Sequence, residues 1–124
     1  MALQATYTGI EPRTITATAV AQARGVRVTR DSAGVTAVAD ATTRGDYVTL
    51  QAIAASGSGV AASLSGGGKV PALASESTVV GDLAYAAAAG KFSKTSTNAA
   101  LLGRWTLAAS ADGVLGEVEL FSVA

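Results

Sequence analysis

Glu117 and Glu119 are the residues whose types and spacing come nearest to an acid–base site. Two apart on a strand, their carboxylates would share one face at about 7 Å, a separation that suits paired acid–base chemistry. Val118 and Leu120 alternate with them, which is typical of a strand with one buried and one solvated face. We therefore interpret the pair as part of a solvated outer face.

A glycine-rich segment, Gly66-Gly67-Gly68-Lys69, suggests phosphate binding. The phosphate-loop motif requires glycine five residues before its Gly-Lys pair and Ser or Thr directly after it. Ser63 and Val70 occupy those positions, so we predict a flexible hairpin connection here instead.

Two further motifs are better explained as turns. Asp31-Ser32-Ala33-Gly34 lacks the tight Asp-Thr/Ser-Gly spacing of an aspartic protease, and the sequence has no second copy to complete a carboxylate pair. Arg44-Gly45-Asp46 matches the integrin-binding tripeptide, but this tripeptide is far more often an ordinary turn. Both segments are rich in the residues that turns prefer.

The chain contains no His and no Cys in its 124 residues. This removes the usual general base near neutral pH, the commonest metal ligand and the thiolate nucleophile. A Ser or Thr nucleophile would need Lys or a carboxylate as its base, and no spacing singles out such a pair. We predict that the protein is not an enzyme and has no cofactor and no metal site.

The elements that would position these residues are short strands separated by turns. Alternating Val-rich runs flank the turn at 31–34, and similar pairs of runs flank Ala89-Gly90 and Ala111-Asp112-Gly113. Pro71 indicates that its segment is an edge strand or a strand end. The rhythm predicts an all-β fold, a small β-barrel or β-sandwich of short hairpins. No strict internal repeat is visible.

Residues 1–24 are richer in Thr and Ala than the rest, with Ile15, Ala17 and Ala19 alternating with threonines. With Pro12 at a bend, this composition predicts an extended N-terminal arm. A β-barrel domain is then expected over residues 25–124, and we expect it to stay folded when residues 1–20 are removed.

Charge and hydropathy indicate which partners to expect. Lys+Arg and Asp+Glu both number 9, so no overall field draws the chain to nucleic acid. No apolar stretch approaches the roughly 20 residues of a membrane span, and the first residues do not resemble a signal peptide. We predict a protein that is made in the cytoplasm and binds other proteins rather than nucleic acid or membrane.

The Ala-rich and Val-rich composition predicts a thin core, because each missing CH₂ forgoes about 0.8 kcal/mol of burial. Oligomerisation or docking would then contribute to stability. Trp105, the only Trp, has two interpretations, a core residue or an interface anchor. The residues we predict to contact partners are Tyr7, Ile10, Arg13, Ile15, Arg24 and Trp105.

The ordered succession of motifs from Gly66 to Phe121 resembles the small capsid decoration, or cement, proteins of tailed bacteriophages. The matching pieces are Val70-Pro71-Ala72, Val79-x-Gly81-Asp82-x-x-Tyr85, Ala89-Gly90-Lys91-Phe92, Leu101-Leu102-Gly103 and Gly116-Glu117-Val118-x-Leu120. The resemblance covers about residues 25–122. The N-terminal segment matches no motif of the family.

The resemblance implies a β-barrel domain, often trimeric, that sits on the outer capsid surface of the expanded head and bridges subunits of the major capsid protein. A terminal arm commonly reaches onto the shell. Two alternatives remain open at this point: another virion part such as a tail or baseplate barrel, and a carbohydrate-binding β domain.

Overall fold

In the computed structural model, residues 12–18 and 20–121 are described, and nearly all regular structure among them is β-strand. The strands are β1 (Pro12–Thr16), β2 (Arg27–Asp31), β3 (Gly34–Ala37), β4 (Tyr47–Thr49), β5 (Ser58–Ser63), β6 (Gly68–Leu73), β7 (Leu83–Ala86), β8 (Phe92–Ser93), β9 (Leu101–Leu107) and β10 (Leu115–Leu120). A 3₁₀ turn, Ala88–Gly90, joins β7 to β8. The predicted all-β fold is confirmed. No helix in the described ranges is long and apolar enough to cross a membrane.

The strands form two antiparallel sheets of five strands each. The first sheet has the order β1-β5-β4-β2-β3, and the second has the order β6-β10-β9-β7-β8. In each sheet a parallel bridge brings the chain after the first strand next to the last strand, Ala17 with Val35 and Ala74 with Phe92. Each sheet therefore curls toward a barrel around its own inner face.

Most of the predicted hairpins are present. β2 pairs with β3, β7 with β8 and β9 with β10, each across the turn that Asp and Gly residues predict. β6 lies at an edge of its sheet, as Pro71 indicates. Val118 and Leu120 are buried, while Glu119 on the opposite face is exposed.

The glycine-rich segment before β6 is not a hairpin connection, and that prediction is wrong. β5 belongs to the first sheet and β6 to the second, so the segment carries the chain from one sheet to the other. Gly67 and Gly68 have φ values of +76° and +87°, a region that L side chains rarely adopt. The glycines therefore serve a change of direction between sheets.

The two halves of the chain share one topology. Subtracting five from each strand number of the second sheet gives the strand order of the first sheet. Strand registers recur as well: the pair Val48 and Ala62 corresponds to Arg104 and Glu119, at offsets of 56 and 57 residues. Residues 12–64 and 69–121 thus form two structural repeats, called here the first and second repeat.

Hydrogen bonds outside the strands repeat at the same offsets. The Gly25 amide donates to the Thr49 carbonyl at 2.9 Å, and the Gly81 amide donates to Trp105 at 2.9 Å. Amide-to-carbonyl bonds from Gln22 to Ile53, Ala17 to Gly57, Thr18 to Val35 and Leu64 to Asp46 recur as Thr78 to Ala109, Ala74 to Val114, Ser75 to Phe92 and Phe121 to Leu102. Identical residues at paired positions are few and include Gly25 with Gly81 and Gly59 with Gly116. The repeat is carried by the backbone, which explains why the sequence does not display it.

The core has two parts. The smaller cluster lies inside the first repeat and contains Ile15, Ala17, Val26, Val28, Val35, Ile53 and Ala61. The larger cluster combines the interior of the second repeat with Val48, Leu50, Ala62 and Leu64 of the first. The two repeats are therefore joined by a continuous apolar core.

Residue 24 is not a structural boundary. β1 pairs with β5 over five residue pairs, from Pro12 with Ala62 to Thr16 with Ser58, and Ile15 is buried in the smaller cluster. The second half of the predicted arm is thus an integral strand of the first sheet. Residues 1–11 lie outside the described residues.

Candidate interaction surface

Those residues predicted to contact partners that lie in the described ranges are not brought together on one surface. Tyr7 and Ile10 lie outside the described residues, and the backbone of Arg13 pairs with Ala61 inside the first sheet. Ile15 is buried in the core, and Arg24 is half-buried at the turn before β2. Arg13 and Ile15 thus belong to a strand of the fold, and Arg24 belongs to a turn.

Trp105 is a core residue. Its indole is fully buried, its Nε1 donates a hydrogen bond to the Ser93 carbonyl at 3.1 Å, and its ring meets the edge of Phe92 at 6.4 Å. Of its two interpretations, the core one describes this position. The ring has no exposed area with which to contact a partner. The prediction that Trp105 contacts a partner is therefore replaced by a role in the core.

The least expected polar residue is Arg27, which is fully buried between the two repeats. All five N–H groups of its guanidinium are directed at backbone carbonyls. Nε donates to Lys91, Nη1 to Thr43 and Arg44, and Nη2 to Asp40 and Ala87. Because Ala87 and Lys91 belong to the second repeat, Arg27 links the repeats directly.

Burial lowers the pKa of Arg27 from its ordinary value to about 10, and the Asp40 carboxylate acts in the opposite direction. The group remains a cation at neutral pH, fixed by carbonyl dipoles. From the sequence Val26-Arg27-Val28 alone, Arg27 would be expected to be exposed, because its side chain points away from the face that carries the two buried valines. In a single isolated sheet that opposite face would contact solvent.

The loop from β3 to β4 is shaped by a hydrogen-bonded carboxylate. Oδ1 of Asp40 accepts bonds from the Thr43 amide at 2.9 Å and from both the amide and the hydroxyl of Thr42 at 3.1 Å. These bonds hold the pKa of Asp40 below its ordinary value. The loop in turn presents the carbonyls that bind Arg27.

The Arg-Gly-Asp tripeptide has a structural role in this fold. Nη1 of Arg44 donates to the Leu101 carbonyl at 2.6 Å and Nη2 to Leu64 at 3.1 Å. Asp46 Oδ2 accepts bonds from the Thr29 hydroxyl and the Arg30 amide. Both charged side chains are thus engaged in hydrogen bonds within the fold, to residues at least 16 positions away in the sequence.

The outer side of the second sheet, called here the outer face, is an open surface with mixed apolar and charged character. Lys69, Glu119, Arg104 and Leu83 follow one another across β6, β10, β9 and β7 in register. Leu107 is 58% exposed and lies opposite Glu117. Charges of alternating sign between exposed leucines are suited to binding a protein surface of complementary pattern.

The two glutamates of the outer face differ in exposure: Glu117 is half-buried and Glu119 is exposed. Glu117 Oε1 accepts a hydrogen bond from the Thr106 hydroxyl at 2.8 Å, so this carboxylate is part of a cross-strand contact. Within residues 12–18 and 20–121, no cluster of three or more acidic side chains is placed to hold a metal ion. The solvated-face interpretation accounts for both residues.

A second open feature is a shallow cavity of about 370 Å³ between β1 and the β2–β3 hairpin of the first repeat. β1 contributes Thr14 and Thr16, and the β2–β3 turn contributes Arg30, Asp31 and Ser32. Its lining is polar. This turn is exposed and therefore available for contacts.

Comparison with known proteins gives a similarity of fold. No family model matches the chain, and no curated protein matches it. Among solved structures, the chain is similar to the crystal structure of the head fiber gp8.5 N base in bacteriophage phi29, with a TM-score of 0.67 and 15% sequence identity. The superposition covers 90% of this chain and 94% of that chain. The likeness is one of fold, and it extends over nearly all of both chains.

Proposed function

We propose that this chain is a structural protein of a bacteriophage virion that binds the outer surface of the head and stabilises it by bridging major capsid protein subunits. The observation that carries the proposal is the fold shared with the phi29 head fiber base. The motif succession that resembles capsid decoration proteins supports the same assignment independently of the fold.

The proposed mechanism is mechanical. Many copies on one shell make each further contact effectively intramolecular, so modest affinity per contact yields a large gain in shell stability. In keeping with a role without catalysis, acidic side chains of the described part serve loops and strands. Glu76 Oε2, for example, accepts the Thr95 hydroxyl at 2.6 Å, and Asp82 Oδ2 accepts the Val79 amide.

The segment that we propose as the contact to the shell is shorter than the predicted arm. β1 is occupied by its pairing with β5, so the proposal assigns the shell contact to residues 1–11 and to exposed loops. The resemblance favours a homotrimer as the working unit.

Carbohydrate binding is less well supported. Sugar sites use exposed aromatic platforms, and of the five aromatic residues in the described ranges only Phe121 is exposed. Phe92 and Trp105 are buried, and Tyr47 and Tyr85 are half-buried.

The test uses the purified full chain and expanded heads of the phage that encodes it, with unexpanded shells and isolated tails as parallel targets. The expected result is saturable co-sedimentation with expanded heads and an increase in the temperature at which those heads release their DNA. Binding to tails alone would instead support the tail or baseplate alternative. A chain that binds none of the three would overturn the proposal.

A further inference from the structure

The two repeats differ in what covers one face of their sheets. In the first repeat, the side of the sheet that carries Arg27, Val48, Leu50, Ala62 and Leu64 is buried. Its apolar members share one core cluster with the second repeat, and Arg27 donates to carbonyls of the β7–β8 turn. This face is therefore covered by the second repeat.

The equivalent face of the second repeat is open. At offsets of 56 and 57 residues, Arg27, Val48 and Leu64 correspond to Leu83, Arg104 and Phe121. Leu83 is 36% and Phe121 37% exposed. Arg104 is exposed as well, and its Nη1 donates to Gly81. A face that is core in one repeat is thus part of the outer face in the other.

The covering element also has an open equivalent. The β7–β8 turn, which receives Arg27, corresponds to the β2–β3 turn of the first repeat. Asp31, Ser32 and Ala33 in that turn are exposed. The chain therefore presents one unpaired copy of each half of its own internal interface.

We propose that the outer face of the second sheet binds the β2–β3 turn of a second copy of this chain, so that the contact between repeats inside one chain recurs between chains. In the internal contact, the guanidinium that meets the turn comes from Arg27 on β2. On the outer face Leu83 takes that position, and Arg104, directly opposite it in register, supplies the guanidinium. The Asp31 carboxylate of the incoming turn is the complementary charge.

The side chains around Arg104 suit this occupant. Leu83, Leu107 and Phe121 provide apolar contact, while Arg104 and Glu119 keep the face soluble in a free chain. Because the two surfaces are different, the interface is heterologous, and copies join head to tail into a ring or an open chain rather than a two-fold dimer. The proposal does not depend on the proposed function, since its argument uses only the repeat and the exposure of its faces.

The test measures self-association of the full chain by sedimentation velocity and light scattering over a concentration series. Arg104→Glu and Asp31→Arg should each weaken association by at least about tenfold, because each places like charges across the contact. The double variant Arg104→Glu/Asp31→Arg should recover association, since the charge pair is restored in reverse. Leu107→Glu serves as a second outer-face variant and should also weaken association.

Lys94→Glu makes the same charge change as Arg104→Glu at an exposed site after β8 and is the matched control. Melting temperatures of all variants check that the fold is retained. A chain that stays monomeric throughout the series, single variants that associate as tightly as the parent, or a double variant that does not recover would overturn the proposal. If Arg104→Glu lowers head binding but not self-association, the outer face contacts the shell instead and the proposal is likewise wrong.

Discussion

Replacing Arg27 by Met should be among the most damaging single changes in this protein. Met keeps an unbranched apolar stem but is shorter than Arg and removes its five donors, so five backbone carbonyls lose a partner at once. The Lys91 carbonyl keeps the bond from the Ala87 amide at 2.9 Å.

The magnitude follows from two opposing effects. Each buried carbonyl left without its donor costs about 1–3 kcal/mol, while removal of a buried cation relieves its desolvation. Breaking a buried charged contact costs about 3–5 kcal/mol net, a large part of the roughly 5–15 kcal/mol that stabilises a domain. For a chain of this size we expect the melting temperature to fall by roughly 10 to 25 °C.

The assay is calorimetric and chemical unfolding of Arg27→Met beside Arg30→Met. Arg30 lies on the same strand but is exposed, with its guanidinium 5.9 Å from the Tyr47 ring centroid, so its loss should cost less than about 1 kcal/mol. Arg27→Lys, with three donors in place of five, should fall between the two. If Arg27→Met is no less stable than Arg30→Met, Arg27 does not link the repeats as described.

Three further predictions concern separate parts of the fold. Gly25→Ala should lower the free energy of unfolding in urea more than Gly81→Ala does. Both positions have positive φ, which costs about 1–2 kcal/mol with a side chain, but only at Gly25 would the new Cβ also lie 2.9 Å from the Leu73 amide nitrogen, since nothing lies within 4 Å at Gly81. Equal losses in the two variants would contradict the packing between repeats. Asp40→Asn should lower the free energy of unfolding near neutral pH and have less effect at low pH. A carboxyl whose pKa is lowered by folding stabilises the fold at pH values above its ordinary pKa near 3.8, and this contribution is lost as the pH falls through the folded-state pKa. If the stability difference between variant and parent does not narrow in unfolding curves from pH 6 to pH 2, this reasoning is refuted. Deleting residues 1–11 should leave the melting temperature nearly unchanged. Deleting residues 1–18 removes β1 and the buried Ile15, so this truncation should have a much lower melting temperature or be insoluble. Equal stability of the two truncations would show that β1 is dispensable.

Local features of this fold were predictable because their causes are local. The Asp and Gly residues at 31–34 and at 111–113 fix tight turns, and the alternation of Glu117, Val118, Glu119 and Leu120 fixes which side of β10 is buried. Pro71 cannot donate to a ladder, which places its strand at an edge. Each of these conclusions depends on neighbours within a few residues.

The features that were missed depend on distant contacts. β5 pairs with both β1 and β4 and not with β6, and the residues of the local turns do not determine this pairing. Arg27 is buried only because the second repeat covers its face, and its partners are carbonyls up to 64 residues away. The repeat itself consists of backbone hydrogen bonds, which nearly every residue type can make, so it leaves little trace in side-chain identity.

The proposed function is tested most directly by imaging expanded heads after saturation with the purified chain, at a resolution that resolves strands. The proposal predicts density for two five-stranded sheets on the outer surface, in contact with more than one major capsid protein subunit and connected to the shell through the segment that precedes β1. Heads without added density, or density confined to tails, would contradict it.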